Sequence, residues 1–135
     1  MRYTISFDLF DTDRYPGDPW DDIYCLVHAT GGRRFKKSDE GNWCRFPDTT
    51  VDFVSAAEKP YGAVKEFVAL VDRVLGIPRS TKYDGAIHFG AVRAASSPAG
   101  GFLYLVDPPG YATGTKDEAR AELNMRLEKR GRPTL

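Results

Sequence analysis

Residues 3–9, Tyr-Thr-Ile-Ser-Phe-Asp-Leu, alternate apolar and polar side chains without a break. Successive side chains of an extended strand point to opposite faces, so Tyr3, Ile5, Phe7 and Leu9 share one side and Thr4, Ser6 and Asp8 the other. Such a strand belongs to a sheet with one face on a core and the other toward water. It does not suit a sheet covered by helices on both faces, whose strands read as continuous apolar runs.

Two strong helices supply the cover. Asp18-Pro19 opens the first, with Asp as N-cap, Pro at the first helical position, and Asp21 and Asp22 favourably placed against the helix dipole. Trp20, Ile23, Tyr24 and Val27 form its apolar stripe, and Gly31-Gly32 ends it. The second starts at Pro60 or just after, carries the stripe Val64, Phe67, Val68, Val71, Val74 and Leu75, and stops at Gly76 and Pro78. A third opens at Thr115, with Glu118 completing a capping box. Its stripe of Ala119, Leu123 and Leu127 is thin, which predicts a helix held loosely on the surface or against a partner chain.

The remaining segments read as strands. Residues 33–37 and 42–46 flank a turn over 38–41, and 49–54 extends the sheet. Residues 86–94 place Ile87, Phe89 and Ala91 on one face and His88, Gly90 and Val92 on the other. Residues 102–106 are apolar on both faces, which predicts a central or doubly covered strand. The order β-α-β-β-(β)-α-β-β-α predicts an α+β fold: a ferredoxin-like antiparallel sheet with helices mainly on one face, plus an added C-terminal strand and helix. Residues 1–135 read as one domain. Thr4, Ser6, Asp8 and His88 are expected on the open face.

Nineteen basic and nineteen acidic residues leave no net charge, which argues against a dedicated nucleic-acid binder. Two cysteines make no disulfide framework. No apolar run approaches the roughly 20 residues that span a bilayer, and Met1-Arg2-Tyr3 leads straight into a strand rather than a signal peptide. The expectation is a cytoplasmic protein with reduced thiols and no membrane association.

Several residues are candidates for chemistry. Asp8, followed by Asp11 and Asp13, offers oxygen ligands of the kind a magnesium ion prefers. The same composition also makes turns and caps. Cys25, His28, Cys44 and His88 are the residue types of a zinc site. At about 100° per residue, however, Cys25 falls off the helix stripe and is expected to face away from the core, apart from Cys44 and His88. His28, in the last helical turn, suits interaction with the helix dipole. His88 and Asp8 on neighbouring strands would form a general acid/base pair. Arg33-Arg34-Phe35-Lys36-Lys37, with Trp43 and Arg45, mixes cations and rings as nucleic-acid surfaces do; it equally suits an edge strand protected by charge, the reading favoured.

Ile5-Ser6-Phe7-Asp8-Leu9, the helix after it, and Gly31-Gly32-Arg33-Arg34-Phe35 leading to Ser38 and Trp43 resemble the small ferredoxin-fold nucleases of CRISPR adaptation and the related virulence-associated endoribonucleases. The resemblance covers about a third of the chain. It implies a homodimer and a metal-ligand role for Asp8.

The residues together favour a non-enzymatic interaction module of regulatory, inhibitor or immunity type, without a cofactor. It would bind a partner protein through the open sheet face or the last helix. Trp43, Tyr83, Tyr104 and Tyr111 are candidate aromatic anchors, and Trp43, Arg45, Arg34, Lys36 and Tyr104 the expected binding set. The alternative is a magnesium-dependent nuclease acting on RNA or DNA, with Asp8 and Asp11 as metal ligands and Asp8 and His88 as catalytic groups.

Overall fold

Strand β1 (Arg2–Phe10) runs through the middle of a three-stranded antiparallel sheet, between β4 (Thr50–Val54) and β5 (His88–Ser96). The computed structural model describes residues 1–79, 86–96 and 104–135. Ile5 stands opposite Val51 on one side and Ala94 on the other. Tyr3, Ile5, Phe7 and Leu9 are all buried, as the alternation requires.

Helices α1 (Pro19–Ala29) and α2 (Pro60–Leu75) follow their predicted bounds closely. The Asp18 side chain accepts from the Asp21 amide at 3.1 Å, an N-cap bond over Pro19. Gly76 ends α2 at φ +71°, in the left-handed region that glycine adopts without steric cost. Below the sheet, Phe67 of α2 lies 5.6 Å from Phe7, 5.4 Å from Phe53 and 5.8 Å from Phe89, ring centroid to centroid. Tilted and edge-on rings at these spacings add to the area they bury. The buried Tyr3 hydroxyl is satisfied by the Ala57 carbonyl at 2.7 Å.

Strands β2 (Phe35–Lys37) and β3 (Trp43–Arg45) form a separate two-stranded hairpin. It is tied to the main sheet by Arg33, whose amide and carbonyl both bond Asp52 of β4 at 2.8 Å. That junction demands Gly32: a Cβ there would lie 2.3 Å from the Asp52 carbonyl oxygen. A one-turn helix, α3 (Gly110–Thr113), precedes α4 (Lys116–Lys129).

Four expectations are corrected. First, α4 is not loosely held. Ala119, Leu123 and Leu127 are fully buried against α1, making a third layer beneath the sheet and its helices. Second, Cys25 does not face away from the core. It is fully buried, and its thiol points to the Ala119 carbonyl at 3.5 Å, because α1 is covered by the sheet on one side and α4 on the other. Third, β5 does not alternate throughout. Phe7 pairs with Val92 and Leu9 with Phe89, so Gly90 and Ala91 together face Asp8 in a bulge. Phe89 and then Val92 turn toward the core, while Ala91 is exposed. Fourth, the segment read as a doubly covered strand over 102–106 is neither central nor covered where it is described. Leu105 makes an isolated antiparallel bridge to Cys44 and is 63% exposed. Phe102, Leu103 and Tyr83 lie outside the described residues. Among the described residues, no helix is long and apolar enough to cross a membrane.

Candidate functional site

The hairpin and the chain beside it present two exposed apolar residues, Tyr104 and Leu105, on backbone that is held fixed. The Arg45 amide donates to the Tyr104 carbonyl at 3.0 Å and the Val106 amide to the Trp43 carbonyl at 3.2 Å. These two bonds flank the Cys44–Leu105 pair, as in the wide rung of an antiparallel ladder. In that rung the amide and carbonyl of Leu105 point away from β3. They have no partner among the described residues. Tyr104, 44% exposed, lies under the Arg45 guanidinium, 5.1 Å from its ring centroid. Trp43 is half-buried opposite Lys37, and Lys36 reaches over the Phe46 ring at 6.0 Å. Trp43, Arg45, Lys36 and Tyr104 of the expected binding set therefore share this one hairpin region. Leu105 was missed because an apolar run reads as buried whether it ends in a core or at an edge.

Arg34 and Tyr111 leave the candidate list. Arg34 is 6% exposed; it donates to the Thr50 carbonyl at 3.0 Å and to the Asp48 carbonyl, and stacks on the Tyr24 ring at 4.4 Å. Burial pushes its pKa down. It clamps the turn before β4 rather than reaching a ligand. Tyr111 is buried and donates to Asp21 at 2.7 Å. Burial first and that bond second push its hydroxyl pKa up.

The open face of the sheet holds a second candidate, a cleft of about 220 Å³ lined by Ser6, Asp8, Asp48, Thr50, Ala91 and Arg93. Asp8 is exposed at the bulge and makes no hydrogen bond or ion pair among the described residues. Asp48 sits at φ +48°, a left-handed conformation that Asp tolerates better than most residues. Ser6 and Thr50 hydroxyls are bonded at 3.0 Å. His88 is not bonded to Asp8. It stands opposite Phe10, donates from Nδ1 to the Ala86 carbonyl at 2.8 Å, and lies 3.8 Å from an Asp11 carboxylate oxygen. Asp11 takes φ +55° at the head of the 3-10 turn Thr12–Arg14.

The zinc set is dispersed. Cys25 is enclosed between α1 and α4, where burial pushes its thiol pKa up to about 12. Cys44 is buried in the hairpin with its thiol 3.7 Å from the Asn42 carbonyl. His28 does not act on the helix dipole as a cation. Its Nε2 accepts from the Arg34 amide at 3.0 Å, and burial, with Arg33 beside it, pushes its pKa down to about 4. Among the described residues, no three His, Cys, Asp or Glu side chains gather as a metal site would need.

No known family model, curated protein or solved structure matches the chain.

Proposed function

We propose that the chain is a non-enzymatic protein-binding module that takes an extended segment of a partner protein along the Leu105 edge of the hairpin. One observation carries the reading: Leu105 presents an exposed side chain and an outward amide and carbonyl at a fixed place in a ladder. A strand added there gains main-chain hydrogen bonds, and side-chain contacts supply specificity. Tyr104 and Trp43 offer aromatic anchors beside it, and Lys37 and Arg45 favour a segment carrying carboxylates.

The same proposal includes a ferredoxin-like frame. The order β4-β1-β5, helices on the underside, and the Arg33–Asp52 bridge on the outer side of β4 support it. A cytoplasmic setting accompanies the reading, and both cysteines are free and buried.

The test compares partner capture by the unaltered chain, Leu105→Asp and Leu105→Pro. Proline removes the outward N–H, and aspartate removes the apolar anchor. Each is expected to weaken capture about thirtyfold, for a loss of roughly 2 kcal/mol, with Tm unchanged. Retention of the same partner by both variants would contradict the proposal.

A second reading, a magnesium-dependent nuclease, rests on Asp8, which lines the open-face cleft beside Asp48 and has no hydrogen-bond or ion-pair partner among the described residues. The resemblance of residues 5–9 to metal-dependent nucleases, with the homodimer it implies, belongs to this reading. Magnesium- or manganese-dependent cleavage of RNA or DNA that Asp8→Asn abolishes supports it; no cleavage by the unaltered chain rejects it.

A further inference from the structure

We propose that the groove between α2 and β5 binds a small monocarboxylate with an apolar body. The groove holds about 440 Å³. That falls within the roughly 300–1,000 Å³ of small-molecule sites. It lies where β5 ends the main sheet: the order β4-β1-β5 puts no described strand beyond β5. Phe67 and Val71 of α2 turn into the core, whereas Tyr61, Lys65, Ala69 and Asp72 are exposed. These four recur at i, i+4, i+8 and i+11, so they follow one side of the helix for about 16 Å. Val68 beside them and Val92 of β5 give apolar walls, and the small residues Ala69 and Gly90 leave the space.

Three charged side chains line the groove: Lys65, Asp72 and Arg79. None of them makes a salt bridge or a side-chain hydrogen bond among the described residues. One cation offsets Asp72 and the other is left over, so the lining carries one net positive charge. Lys65 Nζ lies 5.4 Å from the Tyr61 ring centroid. That contact leaves the three N–H donors of the ammonium group available to a carboxylate. A monoanion balances this lining, whereas a second negative charge would meet Asp72 and a cation would add to the excess.

Spacing decides how such a ligand lies. Lys65 and Asp72 are seven residues apart, about 10 Å along the helix, with Val68 and Ala69 between them. A carboxylate on Lys65 therefore lays its apolar body over Val68, Ala69 and Val92 and stays clear of Asp72. Burial of that body supplies the affinity, and the charge sets the orientation. The groove is at the β5 edge of the sheet and the hairpin is fastened beyond β4, so failure of this site leaves the proposed function standing.

The probes are phenylbutyrate, phenylbutanol and phenylbutylamine, which share one apolar body and carry a negative, a neutral and a positive head. Each is titrated into the 15N-labelled full chain at constant pH and ionic strength. Phenylbutyrate is expected to shift the amides of Val68, Ala69, Gly90 and Val92 in a saturable way, at a concentration up to about fivefold lower than phenylbutanol. Phenylbutylamine is expected to bind weakest. Lys65→Glu, at an exposed helix position, is expected to reverse this order so that the amine binds tightest. Ala69→Trp, which fills the groove from an exposed position, is expected to weaken all three at least about tenfold. Equal binding of the three probes, shifts that do not saturate, an order unchanged in Lys65→Glu, or undiminished binding by Ala69→Trp would overturn the proposal.

Discussion

His28 shows how burial can reverse a residue's expected role. At the end of a helix a charged imidazole would be stabilised by the dipole. Here the ring is partly buried, contacts Phe35 and Tyr111, and accepts the amide that starts the hairpin. Only the neutral ring can accept, so the fold holds His28 unprotonated down to about pH 4 against an ordinary value of 6.5. Between those values the unfolded chain binds the extra proton, so stability rises with pH. The contribution is complete above pH 6.5 and is lost as pH falls toward 4, up to about 3 kcal/mol. Urea unfolding across this range is expected to show the slope, and His28→Gln to flatten it. Arg34 makes the same point for cations: four basic residues over 33–37 look alike in sequence, yet one is buried under Tyr24 as a clamp.

The element that most departs from its appearance is α4. Its three apolar residues were legible, but not what they pack on. The missing information is electrostatic and long-range. Arg126 pairs with Asp21 at 2.8 Å and Asp22 at 3.0 Å, and Arg130 with Asp22, across more than a hundred residues of chain. Asp22 is buried, so losing its partners would leave a charge stranded in the interior. Leu123→Ala is expected to cost about 2–5 kcal/mol in denaturant unfolding. It is also expected to open Cys25 to an uncharged alkylating reagent that the unaltered chain excludes. Native Cys25 reacting as fast as a free thiol would show that α4 does not cover it. The helix bounds and β1 were legible because caps and periodicity are local signals. The bulge at Gly90–Ala91 was not, because register depends on the strand opposite, and it moved Ala91 and Val92 to faces opposite to those expected. The candidate hairpin set was legible as residue types; Leu105 became visible only once its backbone pairing was known.

At the scale of the molecule, the alternation in β1 governs the arrangement. Helices α1 and α2 occupy the apolar side, α4 lies beyond α1, and the polar side keeps the Asp8 cleft. The hairpin stands outside this stack, fastened at Gly32–Arg33 to β4 and crossed by residues 104–106. A binding edge placed there can engage a partner without disturbing the core, because its exposed groups contribute no packing beneath. The most direct test is amide hydrogen exchange of the free chain, resolved by residue. The account predicts that the Arg45 and Val106 amides are protected while the Leu105 amide between them exchanges near the rate of an open chain. A Leu105 amide protected as strongly as Val106 in the free protein would mean that the edge is already taken, and would contradict it.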